Sequence, residues 1–217
     1  MEYLCTKCGH RESTATRSAH CTCGGLWKLE ANLPAFDLSG VDTHEWSLFR
    51  YRKFMALEDE SWRAVTMGEG MTPVVRLDED VLLKMDYFMP TLSFKDRGAA
   101  VLIAHCKSIG VNQVVQDSSG NAGNAVAAYC AKAGIACEIF VPEGTSPKKI
   151  DMIRAHGAAC TISVMEGPWS EASRFGIMNV DGADNIILVL PSIYHESMAR
   201  KMVPHLRDGQ VVLLHPE

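Results

Sequence analysis

QVVQDSSGNAGNAVAAYCAKAGIACEIFV, residues 113–141, sets an apolar run, a serine-glycine turn, an alanine-rich stretch and a second apolar run in direct succession. The valine-rich QVVQD and the CEIFV that closes the segment read as strands, and residues 121–133 between them as a helix. A strand that returns to its sheet through a helix is a βαβ unit, so the two strands are expected to be parallel.

The same alternation extends in both directions. VLLKM (81–85) reads as a strand, 97–108 as a helix, 146–156 as a helix and ACTISV (159–164) as a strand. The expected fold class is therefore α/β, a three-layer open and mostly parallel sheet. Beyond Glu166 periodicity fades through GPWSEASRFGIMNVDGADN. A strand IILVL (186–190), a helical stretch 193–206 and a last strand VVLLH (211–215) follow. Four regions result: 1–30, which is cysteine-rich; 31–66, a connecting segment with one or two short helices; 67–165, the α/β region; and 166–217, a β-α-β tail.

Composition excludes several function classes. The chain has 217 residues, 47% hydrophobic and 22% charged, with a formal net charge of -5, the balance of a globular protein. An acidic chain offers no basic footprint for nucleic acid or an anionic membrane surface. No apolar run approaches the about 18 residues that cross a bilayer, and MEYLCTKCGH lacks a signal-peptide layout. We expect no nucleic-acid partner, no membrane partner and a cytoplasmic location.

Cys106, Cys130, Cys137 and Cys160 are scattered through apolar runs and read as small core residues. Cys5 and Cys8 in CTKCG, with Cys21 and Cys23 in CTCGG, differ: two close pairs on glycine-bearing turns are able to place four thiolates around one tetrahedral ion. This reads as a zinc ribbon. Reduced idle thiols and two local disulfides stand beside it as alternatives, and the second pair is C-x-C rather than C-x-x-C. His20 adjoins Cys21 and reads as incidental.

Two stretches carry the chemistry. DSSGNAGNAVAAY (117–129) follows a strand and opens a helix, where hydroxyls, Asn121 and backbone N-H groups gather at a positive helix end that suits a phosphate or carboxylate. It matches neither G-x-G-x-x-G nor a P-loop. TLSFKDRGAA (91–100) sets Lys95 beside Phe94 at a helix start, and burial with positive potential makes a lysine amine nucleophilic enough to form a Schiff base.

GEGMTPVVRL (68–77), LSFKDRGAA (92–100) and VVQDSSGNAGNAVAAYCAKAGI (114–135), in this order, resemble threonine synthase and its fold-type II, tryptophan synthase β-like, pyridoxal-phosphate relatives. The cysteine ribbon followed by GGLWKLE is similar to the one that precedes the catalytic region in some members, cysteate synthase among them. The resemblance covers about residues 1–165. It implies that pyridoxal 5'-phosphate is the cofactor, that Lys95 holds it covalently and moves protons on the substrate, and that Phe94 sits beside that linkage. Asn121 is implied beside the cofactor's phenolic oxygen. Ser118, Ser119 and Gly120, with the amides of Ala122 and Gly123, are implied to receive the substrate carboxylate; Thr72 lines the entrance, and Asp96 and Arg97 tie the loop in place. The implied reaction is elimination or replacement at the β or γ carbon of a (phospho)hydroxyamino acid, and the fold type is compatible with a homodimer.

The family's glycine-rich phosphate loop and the polar residue opposite the pyridine nitrogen are not visible after Glu166. Residues 175–217 instead resemble the late Rossmann portion of opine and octopine dehydrogenases, without that domain's dinucleotide loop; His195 and His205 then read as helix residues. Two further functions stay open: a non-catalytic remnant that keeps the fold, and a zinc-ribbon interaction module.

Overall fold

A computed structural model describes residues 1–18, 20–118, 120–163, 185–190 and 211–216. The N-terminal strands β1 (Glu2–Cys5), β2 (Arg11–Ser13) and β3 (Trp27–Glu30) form an antiparallel sheet in the order β2-β1-β3. Two polar contacts tie it to the rest. Thr14 donates to Glu58 at 2.7 Å and Arg17 donates to the carbonyl of Gly110 at 3.1 Å.

The central unit is a parallel sheet of β6 (Gln113–Asp117), β7 (Ala136–Pro142) and β8 (Ala159–Ser163), in sequence order. Three helices accompany it: α1 (Lys95–Ser108), α2 (Asn121–Ala133) and α3 (Pro147–Ala155). α2 stops where Gly134 turns left-handed, at φ 68° and ψ 33°, a conformation that costs glycine little. α3 opens on Pro147, whose missing N-H is no loss in a first turn. The C-terminal ends of α1 and α2 meet where Lys107 donates to the Ala133 carbonyl at 2.8 Å.

Burial follows from patterning. Ile139 and Val141 on β7 are fully buried and alternate with half-exposed Glu138 and Phe140, while Val115 on β6 is 57% exposed. One face of the sheet is thus covered by helices; the expected third layer does not appear among the described residues. Ala100 and Ile103 of α1, Val126, Tyr129 and Cys130 of α2, and Ile150 and Ile153 of α3 fill the covered side. The 31–66 segment is more than a connection. It folds as three 3-10 helices, Leu38–Gly40, Leu48–Phe54 and Ser61–Ala64, and contributes Phe49 and Trp62, whose rings stack at 5.0 Å inside the same core.

Two small sheets complete the described chain. β4 (Val74–Arg76) and β5 (Leu82–Lys84) form an antiparallel ribbon exposed on both faces. β9 (Asn185–Leu190) and β10 (Val211–Pro216) pair in parallel. The 193–206 helix expected from sequence lies outside the described residues, as does His195 with His205. Among the described residues no helix is long and apolar enough to cross a membrane.

Candidate active site

Lys95 is the first residue of α1. The helix begins two residues earlier than its apolar pattern, where Ser93 Oγ accepts the Lys95 N-H at 3.3 Å in a local bond that periodicity does not report. The amine lies 4.4 Å from the centroid of the Phe94 ring. Among the described residues no carboxylate lies within ion-pair distance of it, so this lysine is not consumed by a structural salt bridge.

The residues around it are fixed by two carboxylates. Asp96 is fully buried and accepts both the N-H of Thr91, at 2.7 Å, and the Thr91 hydroxyl. Burial pushes its carboxyl above the ordinary range, against the Thr91 hydrogen bonds and the nearby His156 charge. Asp86 receives Arg97 in a two-pronged contact at 3.0 and 2.9 Å and the Thr72 hydroxyl at 2.7 Å. The Arg97 hydrogen bonds hold the Asp86 carboxyl below its usual range. Thr72 is buried, with its hydroxyl committed to this clamp. Asp86 was not legible as a partner, because it stands eleven residues from Arg97 behind the ribbon.

α2 starts differently. Ser118 donates its backbone N-H to the Phe140 carbonyl at 3.0 Å, and its Oγ accepts the N-H groups of Gly120 at 3.3 Å and Gly123 at 3.0 Å. A side chain at position 123 would put its Cβ 3.0 Å from Ile139 and 3.1 Å from Ser118, so glycine spares both side chains a shift where the loop rests on the sheet. Asn121 is exposed at the first helical position. The amides of Asn121 and Ala122 lack helical carbonyl partners, as the geometry of a helix start requires. Ser119 lies outside the described residues. The Gly123 amide, expected to meet a carboxylate, is engaged by Ser118 here.

Two buried links escaped sequence reading. Glu69, fully buried within GEGMTP, accepts from Tyr129 of α2 at 3.0 Å, from Thr66 at 3.0 Å and from the Met67 N-H at 2.9 Å. Burial, then the Glu69 charge, pushes the Tyr129 hydroxyl upward. Asn124 meets His156 at 3.1 Å. An acid between two glycines and a lone tyrosine among alanines were the available signals, but their pairing spans sixty residues.

The four N-terminal thiols converge. Cys5, Cys8, Cys21 and Cys23 offer sulfurs that all lie within 4.8 Å of one another, with Cys5–Cys23 at 3.5 Å and Cys8–Cys21 at 3.7 Å. A Zn-S bond of about 2.3 Å gives tetrahedral sulfurs about 3.8 Å apart, so the spacing fits that ion. A Cβ at Gly25 would stand 2.5 Å from the Cys5 sulfur, which explains glycine there.

A family model described as pyridoxal-phosphate dependent enzyme matches residues 65–196. Threonine synthase of Methanocaldococcus jannaschii is 31% identical over 156 residues, covering 66% of this chain and 38% of that protein. Threonine synthase of Synechocystis is 29% identical over 170 residues, covering 74% of this chain and 41% of that protein. The chain therefore spans about two fifths of these relatives' length. Among solved structures, diaminopropionate ammonia lyase from Escherichia coli aligns with a TM-score of 0.44 at 21% identity, covering 54% of this chain and 38% of that one. O-ureido-L-serine synthase aligns with a TM-score of 0.44 at 19% identity, covering 73% of this chain and 63% of that one.

Proposed function

The chain belongs to the family of pyridoxal-phosphate dependent enzymes, and from that premise we propose that it carries the lysine-bearing part of a PLP site of threonine synthase type. The observation behind this reading is Lys95: an amine without a carboxylate partner, at a helix start that two separate carboxylate ties fix in place. Pyridoxal 5'-phosphate, when bound, supplies an electron sink for loss or exchange of a group at the β or γ carbon of an amino acid.

This chain's residues do the rest. Lys95 Nζ holds the cofactor and then carries a proton to and from the substrate carbon. Phe94 shields one side of that amine from water, and Asn121 orients the cofactor ring. Ser118, Ser119, Gly120 and the amides of Ala122 and Gly123 receive the substrate carboxylate; for Gly123 this means exchanging the Ser118 oxygen for the ligand. Thr72 acts at the entrance through the Asp86–Arg97 clamp. The substrate class is a (phospho)hydroxyamino acid, and the setting is the cytoplasm, where reduced thiols persist.

A second reading, a PLP-fold protein without turnover, is favoured by the Gly123 amide and the Thr72 hydroxyl, both engaged within the protein. Borohydride reduction with PLP followed by peptide mapping tests both. An adduct confined to Lys95, and absent from Lys95→Ala, supports an assembled site. Adducts scattered over surface lysines would sink the first reading.

The ribbon thiols are proposed to hold one zinc ion. We expect one equivalent of zinc in the purified chain, lost together with the fold of residues 1–30 on chelation or in Cys8→Ser. Retention of that fold in metal-free protein would exclude the site.

A further inference from the structure

The residue that caps α2 brings no side chain to the task. It is Gly120, and Ser118 supplies the oxygen that takes the Gly120 and Gly123 N-H groups. Asn124 ties the same turn to the interior. It is 4% exposed, among buried Ala125, Val126 and Ala127, at a place where alanine would favour the helix more. A buried carboxamide is costly unless it is bonded. Its Oδ1 meets His156 Nε2 at 3.1 Å.

His156 comes from a well-fixed turn. It closes α3, where its N-H bonds the Ile153 carbonyl at 3.2 Å, and Gly157 then turns left-handed at φ 83° towards β8. A carboxamide oxygen only accepts, so Nε2 carries the proton of the bond to Asn124, and that bond holds whether or not Nδ1 is protonated as well. The His156 charge also acts on the buried carboxyl of Asp96, the residue after Lys95. One half-buried imidazole at the end of α3 thus reaches both helix starts of the candidate site.

We propose that His156 is a positioning residue: acting through Asn124, it sets the first turn of α2 and with it the Ala122 and Gly123 amides that receive the substrate carboxylate. The receiving role of those amides rests on the function proposed above; the brace itself does not. Asn124 follows Gly123 directly, and its own N-H bonds the Gly120 carbonyl at 3.2 Å. Its side chain therefore holds the residue at which the loop becomes helix.

Residue-resolved hydrogen exchange on the full chain, without cofactor, tests the brace. His156→Ala should speed exchange of the Gly123 and Asn124 amides about tenfold, the worth of one buried hydrogen bond. His156→Gln keeps an N-H donor and should return both to the parent rate. Asn124→Ala should also speed the Gly123 amide, although alanine is the better helix former and a mere propensity effect has the opposite sign. The double variant should be no faster than His156→Ala, since the same bond is lost once. Gly123 and Asn124 amides at the parent rate in His156→Ala would overturn the proposal; if the β7 amides of Ile139 and Val141 sped up alone, His156 would serve global stability and not this turn. A His156→Gln variant as loose as His156→Ala would overturn it too. In the parent loaded with PLP, L-serine, a small amino acid of the proposed class, should slow the Gly123 amide, and His156→Ala should need more L-serine by the same factor. Without that slowing in the parent the carboxylate reading falls, and the cofactor-free exchange still decides the brace.

Discussion

The two helix starts of the candidate site are built by opposite means. α2 begins three residues after a strand, and the sheet itself fixes it: Gly123 rests on Ile139, and Ser118 gathers two amides. α1 has no strand in the central sheet before it. Side chains of the preceding segment hold it instead, Asp86 through Arg97 and Thr91 through Asp96. The difference teaches where each start is vulnerable. The first breaks by added volume, the second by lost charge.

The largest effect should come from volume. Gly123→Val forces atoms into a space where even a Cβ stands 3.0 Å from Ile139 and 3.1 Å from Ser118. Overpacking of this kind costs about 3 kcal/mol. Urea unfolding should show that loss, and Gly123→Ala an intermediate one. A stability within error of the parent for the valine variant would mean that β6 and α2 are free to separate, which contradicts the sheet-fixed start.

Charge comes next. Asp86 and Arg97 are partly exposed, at 23% and 38%, so solvent screening reduces a two-pronged pair to about 1 kcal/mol in Asp86→Asn. The folded-state carboxyl of Asp86 is depressed by Arg97 first of all. Its contribution is therefore fully present above the ordinary carboxylate value of about 4 and disappears as pH falls through the depressed value. Parent and variant should differ at neutral pH and converge in acid. A constant difference across the acid limb would remove Asp86 from the clamp.

The same contrast explains what the sequence discloses. β6 at 113–117 and α2 at 121–133 coincide with their expected bounds, because valine runs, a glycine turn and an alanine helix are local signals. The apolar pattern placed α1 at 97–108, two residues late, while the Phe94–Lys95 motif read as its start; the first turn carries Lys95, Asp96 and Arg97, whose polar contacts with Ser93, Thr91 and Asp86 leave no apolar period. β4 passed unread: Val74–Arg76 is three residues long and exposed on both faces, so it carries no alternation. The 31–66 segment has no helical period because 3-10 turns do not repeat at 3.6 residues. The convergence of the four N-terminal thiols was legible from spacing alone, whereas Lys95 and the Asn121 loop were singled out by motif resemblance. The commitment of Thr72 to Asp86, and of Glu69 to Tyr129, was not, because long-range polar pairing leaves no periodic trace.

The smallest effect separates the two starts most finely. Gly98 lies one helical turn after Lys95, on the same face, with nothing within 4 Å of the place a Cβ would occupy. Glycine in a helix interior costs roughly 0.5–1 kcal/mol relative to alanine, so Gly98→Ala should raise stability by about that amount, opposite in sign to Gly123→Ala. Two glycines near two helix starts thus serve different ends: one lets backbone touch sheet, the other keeps open the space beside an amine. If that space receives the cofactor or substrate, Gly98→Ala should be more stable yet yield less PLP adduct at Lys95 on borohydride reduction. A stabilised variant that labels as fully as the parent would show that the opening next to Lys95 is unused, and that Gly98 leaves α1 weaker without return.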